Sequence, residues 1–473
     1  MFALALKRLL LLALACCGAS VSASAPSKYA TVLGMSLDFY DAQRSGRLPS
    51  DNRIKWRADS LVSDKTPAGT DLSGGWFDAG DNVKFQLPGA WTASMLAWGM
   101  LQFGDGYKRA GHYERALATI RWASDFFIKS AYAPDRLVGQ VGNGAADHAM
   151  WVRPEDVPGP SPVYVLDPSR PGSDVAGTMA AALAQASILF GPSDPAYAAK
   201  CLAFARRIYA FGARHQGKYS DSIADAASFY PSSNFRDDLA WGAVWLFKAT
   251  GSPAYLAQAT AFMGEHVALD GTPWANVDWD NQYWTTALML GRLGVKPYAS
   301  VPPRFVEAWL EGKHGVRLTP KGLAWAGPWG ALRHTSNAIF YLLSHARGAQ
   351  DEALRQRIVC FARRQVAYML GEATGQSFVV GYGTNFPRQP HHRAASCSNA
   401  SCGWAAFHSP LPNPNVVRGA LVGGPGPDDS YLDARHNYVQ NEVAIDYSAG
   451  FTGVMAALLA SGAGGSPKPN GCA

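Results

Sequence analysis

Amphipathic stretches of helical period recur along nearly the whole chain, and no strand-like alternation persists over a long region. About twelve helices are predicted, over 28–46, 89–103, 111–130, 174–190, 194–214, 236–250, 253–268, 281–293, 300–313, 330–346, 350–370 and 440–461. Turns rich in Gly, Pro and Asp join them in pairs, as at Gly191-Pro192-Ser193-Asp194 and Gly251-Ser252-Pro253. Consecutive antiparallel pairs that share one core can close into a ring. The second helix of each pair is opened by polar and aromatic residues: Asp78 to Asn82, Asp174, Ser233 to Asp238, Trp279 to Asn281, Trp329 to Arg333, and Asn441-Glu442. If the hairpins alternate in direction, all of these gather at one end of the ring, and a cleft across that face follows.

Composition agrees with a large core. Hydrophobic residues make up 48% of the 473 positions and charged ones 16%. Lys7-Arg8, an apolar stretch from Leu9 to Ala15 and small residues through Ala25 read as a signal peptide over 1–25, with cleavage after Ala23 or Ala25. Cys16 and Cys17 fit a lipid-attachment motif poorly. No later segment is read as long and apolar enough to span a bilayer. The domain over 26–460 is followed by a short Gly/Pro-rich tail over 461–473, and no separate carbohydrate-binding module is read. The formal charge of +6 is scattered, without a basic run, which argues against a nucleic-acid partner. Five Cys follow the leader, and an exported protein can oxidise them. Cys397 and Cys402 flank a short Ser/Asn/Ala loop and are the expected disulfide; Cys201, Cys360 and Cys472 are left unassigned.

Two distant stretches carry the chemistry. Gly74-Gly75-Trp76-Phe77-Asp78-Ala79-Gly80-Asp81-Asn82 sets a carboxylate pair in a glycine loop, suited to a base that holds water. Asn441-Glu442-Val443-Ala444-Ile445-Asp446 sets a carboxyl beside apolar residues, where burial favours the protonated acid. Two carboxyl groups in unlike surroundings are what glycosidic cleavage requires. Taken singly, Asp78 and Asp81 also suit helix caps, and Glu442 suits the positive end of a helix dipole. A third run, Ser377 to Asn385 followed by Pro390-His391-His392-Arg393, offers donors for sugar hydroxyls, and Arg393 is equally able to orient a carboxylate. Adjacent His391 and His392 rarely point together, and no further ligand spacing suggests a catalytic metal. The long irregular region from Gly375 to Leu432 signals function, and its Pro- and Gly-rich second half, around Gly423 to Pro427, is expected on the surface.

These motifs, together with Phe39 to Gly46 and Arg153-Pro154-Glu155-Asp156, resemble the signatures of glycoside hydrolase family nine, the inverting endoglucanases. The resemblance runs from about Tyr29 to Gly453. It implies an all-α (α/α)6 barrel. It assigns the base to Asp81, with Asp78 helping to hold the water, the acid to Glu442, and a second acidic position that orients neighbours to Asp433. Tyr438 is expected to line the cleft near the acid. His391 and Arg393 take substrate-binding roles, as do the subsite candidates His148, Trp151, Trp274, Trp329 and Arg333. Trp151 and Trp274 equally suit a buried core. Ser233, Asn234, Asp237, Asp238 and Asp280 resemble the family's structural calcium site, whose hard oxygen ligands suit that ion. Asp238 replaces a usual Glu, Arg236 a common aromatic residue, Thr178 a common Glu and Ser448 a usual Asn. A capped, solvated helix start accounts for the same five residues.

The expectation is a secreted, monomeric endo-β-1,4-glucanase acting on cellulose-type β-glucan polysaccharides. It needs no catalytic cofactor and carries a structural Ca2+ site. Mixed-linkage glucan, xyloglucan or chitosan oligosaccharides are alternative substrates. A glycan-binding protein that kept the barrel is the non-enzymatic alternative.

Overall fold

The computed structural model describes residues 27–398 and 402–462. The expected leader and most of the expected tail lie outside the described residues. Each of the twelve expected stretches contains a helix: α1 Lys28–Ala42, α2 Gln86–Arg109, α3 Tyr113–Ser130, α4 Ser173–Phe190, α5 Pro195–Arg214, α6 Arg236–Thr250, α7 Pro253–Asp270, α8 Tyr283–Arg292, α9 Pro302–Glu311, α10 Ala331–Gly348, α11 Glu352–Met369 and α12 Ile445–Ala460. Local chemistry sets several ends. The side chains of Asp194 and Asp351 accept the Tyr197 and Leu354 N–H groups and cap α5 and α11. Gly251 closes α6 at φ 70°, a left-handed conformation in which a β-carbon is strained.

The even-numbered helices form the inner ring. Each packs on the next, and α12 returns to α2 to close the circle. The odd-numbered helices lie outside, α1 against α12 and each of the others against the inner helix before it. This is the (α/α)6 barrel. Burial explains the two layers. An outer helix such as α5 buries one stripe, whereas α4 is buried almost throughout. By length and hydropathy α4 passes as a membrane span, against the expectation that no segment would, because a helix enclosed on every side needs no polar face. Close approach within the inner ring depends on missing side chains. A β-carbon on Gly242 of α6 would stand 2.7 Å from the carbonyl of Gly177 in α4.

All six inner helices begin at the same end, where the polar openings meet. Tyr230 touches Asp78 and packs on Trp279; Arg333 pairs with Asp446. A small antiparallel sheet braces this end, with Lys84–Phe85 pairing Leu137–Val141, which in turn pairs Val163–Leu166. A second ribbon joins Arg317–Leu318 to Ala324–Trp325. Two expectations are corrected. The last helix starts at Ile445 rather than 440, because Val443 bridges Val422 and the Glu442 carbonyl accepts the Gly423 N–H, which holds Glu442 extended. Gly423 to Pro425 are buried instead of superficial, since this stretch is the other side of that ladder.

Candidate active site

The loop before α2 carries Asp78 and Asp81 at the end of the barrel where the inner helices begin. The Asp78 backbone accepts Ile445 N–H and donates to Val83 C=O, while Gln43 Nε2 donates to the carbonyls of Phe77 and Ala79. Gly80 is required by approach: a β-carbon there would overlap the backbone of His391 and His392. The Asp78 carboxyl is buried, and Tyr230 donates its hydroxyl to Oδ2. Oδ1 has no hydrogen-bond partner among the described residues. Burial, then the charges of Asp81 and Asp446, raise Asp78 well above the usual carboxylate range.

Asp81 lies part-buried beside Asp147 and His148, and one ligand atom from each falls within 4.8 Å of the others. Burial lifts Asp81 to about 6, helped by the Asp147 charge and opposed by His148, Arg393 and the Ala79 N–H. Asp147 is itself paired with Arg393 at 2.8 Å and accepts Asn82 Nδ2 at 3.1 Å. His148 donates Nδ1–H to the Gly144 carbonyl at 2.8 Å.

Glu442 sits across the cleft. Burial and then the Asp81 charge raise it to about 7; the Tyr447 hydroxyl, donating to Oε2 at 3.1 Å, and the Trp329 indole work in the opposite direction. Asn441, fully buried, fixes the preceding turn through Gln389 C=O, Asp433 and the Tyr431 hydroxyl. Asp433 accepts the Arg388 and Gln389 N–H groups as well, so it acts on Glu442 through Asn441 and the backbone. It is a positioning residue.

The remaining candidates divide. Trp329 and Tyr438 are each 48% exposed, with ring centroids 5.4 Å apart. His391 bridges the Glu442 strand, donates Nδ1–H to Arg435 C=O at 2.7 Å and is kept neutral by burial, its pKa about 4. Trp274 is exposed, its indole anchored to His314 C=O. Three candidates are engaged by the protein itself, two of them in ways the sequence left open. Arg393 is 3% exposed and its guanidinium is engaged by Asp147 and the carbonyls of Met150 and Asp147, so it orients the acid beside Asp81. Trp151 is buried, bonded to Ser396 and covered by Arg393. Arg333 pairs with Asp446 at 3.0 Å and lies over the Tyr447 ring.

Comparison with known proteins agrees with this geometry. The model of glycosyl hydrolase family 9 matches residues 29–455. The chain belongs to glycosyl hydrolase family 9. It is thus a glycoside hydrolase. Endoglucanase A of Bacillus pumilus is 40% identical over 464 residues, which cover 96% of this chain and 70% of that protein. Endoglucanase B of Cellulomonas fimi is 42% identical, and the match spans 43% of its length. Among solved structures, the endoglucanase of the termite Nasutitermes takasagoensis superposes with a TM-score of 0.87 at 45% identity, covering 92% of this chain and 99% of that one. The cellulase Cel9M of C. cellulolyticum gives 0.84 at 34% identity, covering 91% and 98%.

Of the five residues expected to hold calcium, Asn234, Asp237 and Asp238 are buried, and Asp237 Oδ1 has no hydrogen-bond partner among the described residues. Asp238 Oδ1 accepts the Thr178 hydroxyl at 2.8 Å, Asp237 Oδ2 the Gln282 N–H at 2.8 Å, and Asp280 Oδ1 the Ser233 N–H at 2.7 Å. Asn234 Oδ1 accepts the Arg236 N–H. Among the described residues, the Asp81, Asp147 and His148 trio is the one group of acidic or His side chains converging within metal-ligand reach. Asp238, a methylene shorter than the Glu that the family resemblance implies, is held by the hydroxyl of Thr178.

Several residues of this family 9 site escaped sequence reading. Asp147 was legible only as an acid next to His148, and Tyr447 only as an aromatic five positions after Glu442. Tyr230 carries no spacing signal, since it reaches Asp78 across 152 residues. Cys397 and Cys402 form a disulfide, Cys360 is also disulfide-bonded, and Cys201 is free and buried.

Proposed function

We propose that this family 9 hydrolase is an exported endo-β-1,4-glucanase that cleaves cellulose-type chains with inversion. Asp81, as general base, takes a proton from a water held with Asp78; the water oxygen bonds to the anomeric carbon. The bond from that carbon to the glycosidic oxygen breaks, and Glu442 gives its proton to the departing oxygen. The observation that carries the reading is the pair of raised carboxyls, Asp81 at about 6 and Glu442 at about 7. Between those values the base is ionised while the acid keeps its proton. Trp329, Tyr438 and Trp274 offer flat faces to sugar rings, and the neutral His391 offers an acceptor nitrogen to a hydroxyl. Endoglucanase names among the relatives support the substrate class, and the leader read over 1–25 supports export.

Reducing-end release from carboxymethyl cellulose tests it. The mature protein releases ends, and Asp81→Ala and Glu442→Gln lose about 100- to 10,000-fold, the usual worth of acid–base assistance. Full activity in either variant refutes its assigned role.

A further inference from the structure

The segment after the disulfide presents an indole that the catalytic assignment does not use. Trp404 is 46% exposed, on a short helix, Trp404–His408, with no buried residue of its own. Gly403 precedes it at φ 135°, a conformation that favours glycine and turns the chain outward. An exposed indole in a loose loop would be unremarkable, but this one is held. On one side the Cys397–Cys402 disulfide ties the segment down. On the other, the buried Arg435 guanidinium donates to the carbonyls of Ala406, Phe407, Ser409 and Leu411. The same Arg435 accepts His391 Nδ1–H through its carbonyl, which couples this wall to the segment bridging Glu442.

Its position continues an aromatic row. From Trp404 the rings run to Trp151 at 6.2 Å, His391 at 5.1 Å, Tyr438 at 6.0 Å and Trp329 at 5.4 Å. Trp151 and Phe407 are its packing base, the latter meeting Trp404 edge-on at 86°. A half-exposed indole at the far end of a row that starts beside the acid suits the apolar face of a pyranose.

We propose that Trp404 is a distal subsite platform, stacking a glucosyl unit of a chain long enough to extend past His391, so that it sets preference for chain length. This rests on the glucanase reading above. The occupant is a neutral β-1,4-linked chain, and the platform contributes binding rather than proton transfer.

The test compares kcat/KM on cellohexaose and on cellotriose for the parent, Trp404→Ala and Trp404→Phe. The ratio of long to short falls about tenfold in Trp404→Ala, or ~1.4 kcal/mol, and recovers toward the parent in Trp404→Phe. A ratio unmoved in Trp404→Ala overturns the subsite while leaving the glucanase reading intact. An equal fall on both lengths, or no recovery with Phe, also overturns it, since that marks a loosened wall. A parent that cleaves neither oligosaccharide sinks the glucanase reading and the subsite with it.

Discussion

Replacing Tyr447 with Phe isolates what one hydroxyl does to the acid. Tyr447 donates to Glu442 Oε2 at 3.1 Å, its ring is buried, and Arg333 lies 5.2 Å from the ring centroid. Phe keeps the ring and its packing. A hydrogen bond to a charged group contributes about 1.5–3 kcal/mol. Trp329 is a second donor to the same carboxyl, so the lower end applies, ~1.5 kcal/mol, or about one pKa unit at ~1.4 kcal/mol per unit. The sign follows from which form is favoured. The hydroxyl stabilises the carboxylate and opposes burial, so its loss moves Glu442 upward from about 7. The acid then stays protonated to higher pH. The expected parent profile of kcat/KM against pH is a bell, with an acid limb from Asp81 at about 6 and an alkaline limb from Glu442 at about 7. Tyr447→Phe carries the alkaline limb up by about one unit and leaves the acid limb in place. An alkaline limb that stays put or moves down refutes the placement of Glu442 as the acid.

Three further outcomes follow from the same contacts. Arg393→Met leaves the buried Asp147 unpaired, which costs about 3–5 kcal/mol in denaturant unfolding and moves the acid limb upward, because Arg393 opposes the raised pKa of Asp81; unchanged stability contradicts the pairing. Gly80→Ala drives a β-carbon into the His391–His392 backbone, with an expected loss of about 1–3 kcal/mol of stability and about 100-fold in turnover from a displaced base; a wild-type rate contradicts the close approach. EGTA lowers the melting temperature and added CaCl2 restores it, because burial raises the Asp237, Asp238 and Asp280 carboxyls and Asp237 Oδ1 has no hydrogen-bond partner among the described residues; a melting temperature unmoved by either contradicts a bound ion.

Helix content and pairing were legible because each hairpin buries a periodic stripe and announces its turn with Gly, Pro or Asp. The gathering of polar residues was legible for a related reason: residues opening inner helices share one end. Reading failed where long-range contact overrides local pattern. Glu442 looks like the start of a helix until the Val422–Val443 bridge holds it extended. Arg393 suits a sugar hydroxyl or a carboxylate equally well in sequence, and only the fold brings Asp147, 246 residues earlier, to its guanidinium. Asp238 accepts the hydroxyl of Thr178 in a neighbouring inner helix, a partner 60 residues earlier that no local pattern shows. Side-chain direction is a property of the packed ring, and no window of sequence contains it.

The anomer of the first product, followed by proton NMR during cleavage of a cello-oligosaccharide, tests the central claim most directly. A base that activates water opposite the departing oxygen yields the α-anomer first, with β growing only by mutarotation. An initial β-anomer would mean that a carboxylate attacked the sugar itself, and the roles given to Asp81 and Glu442 would fall together.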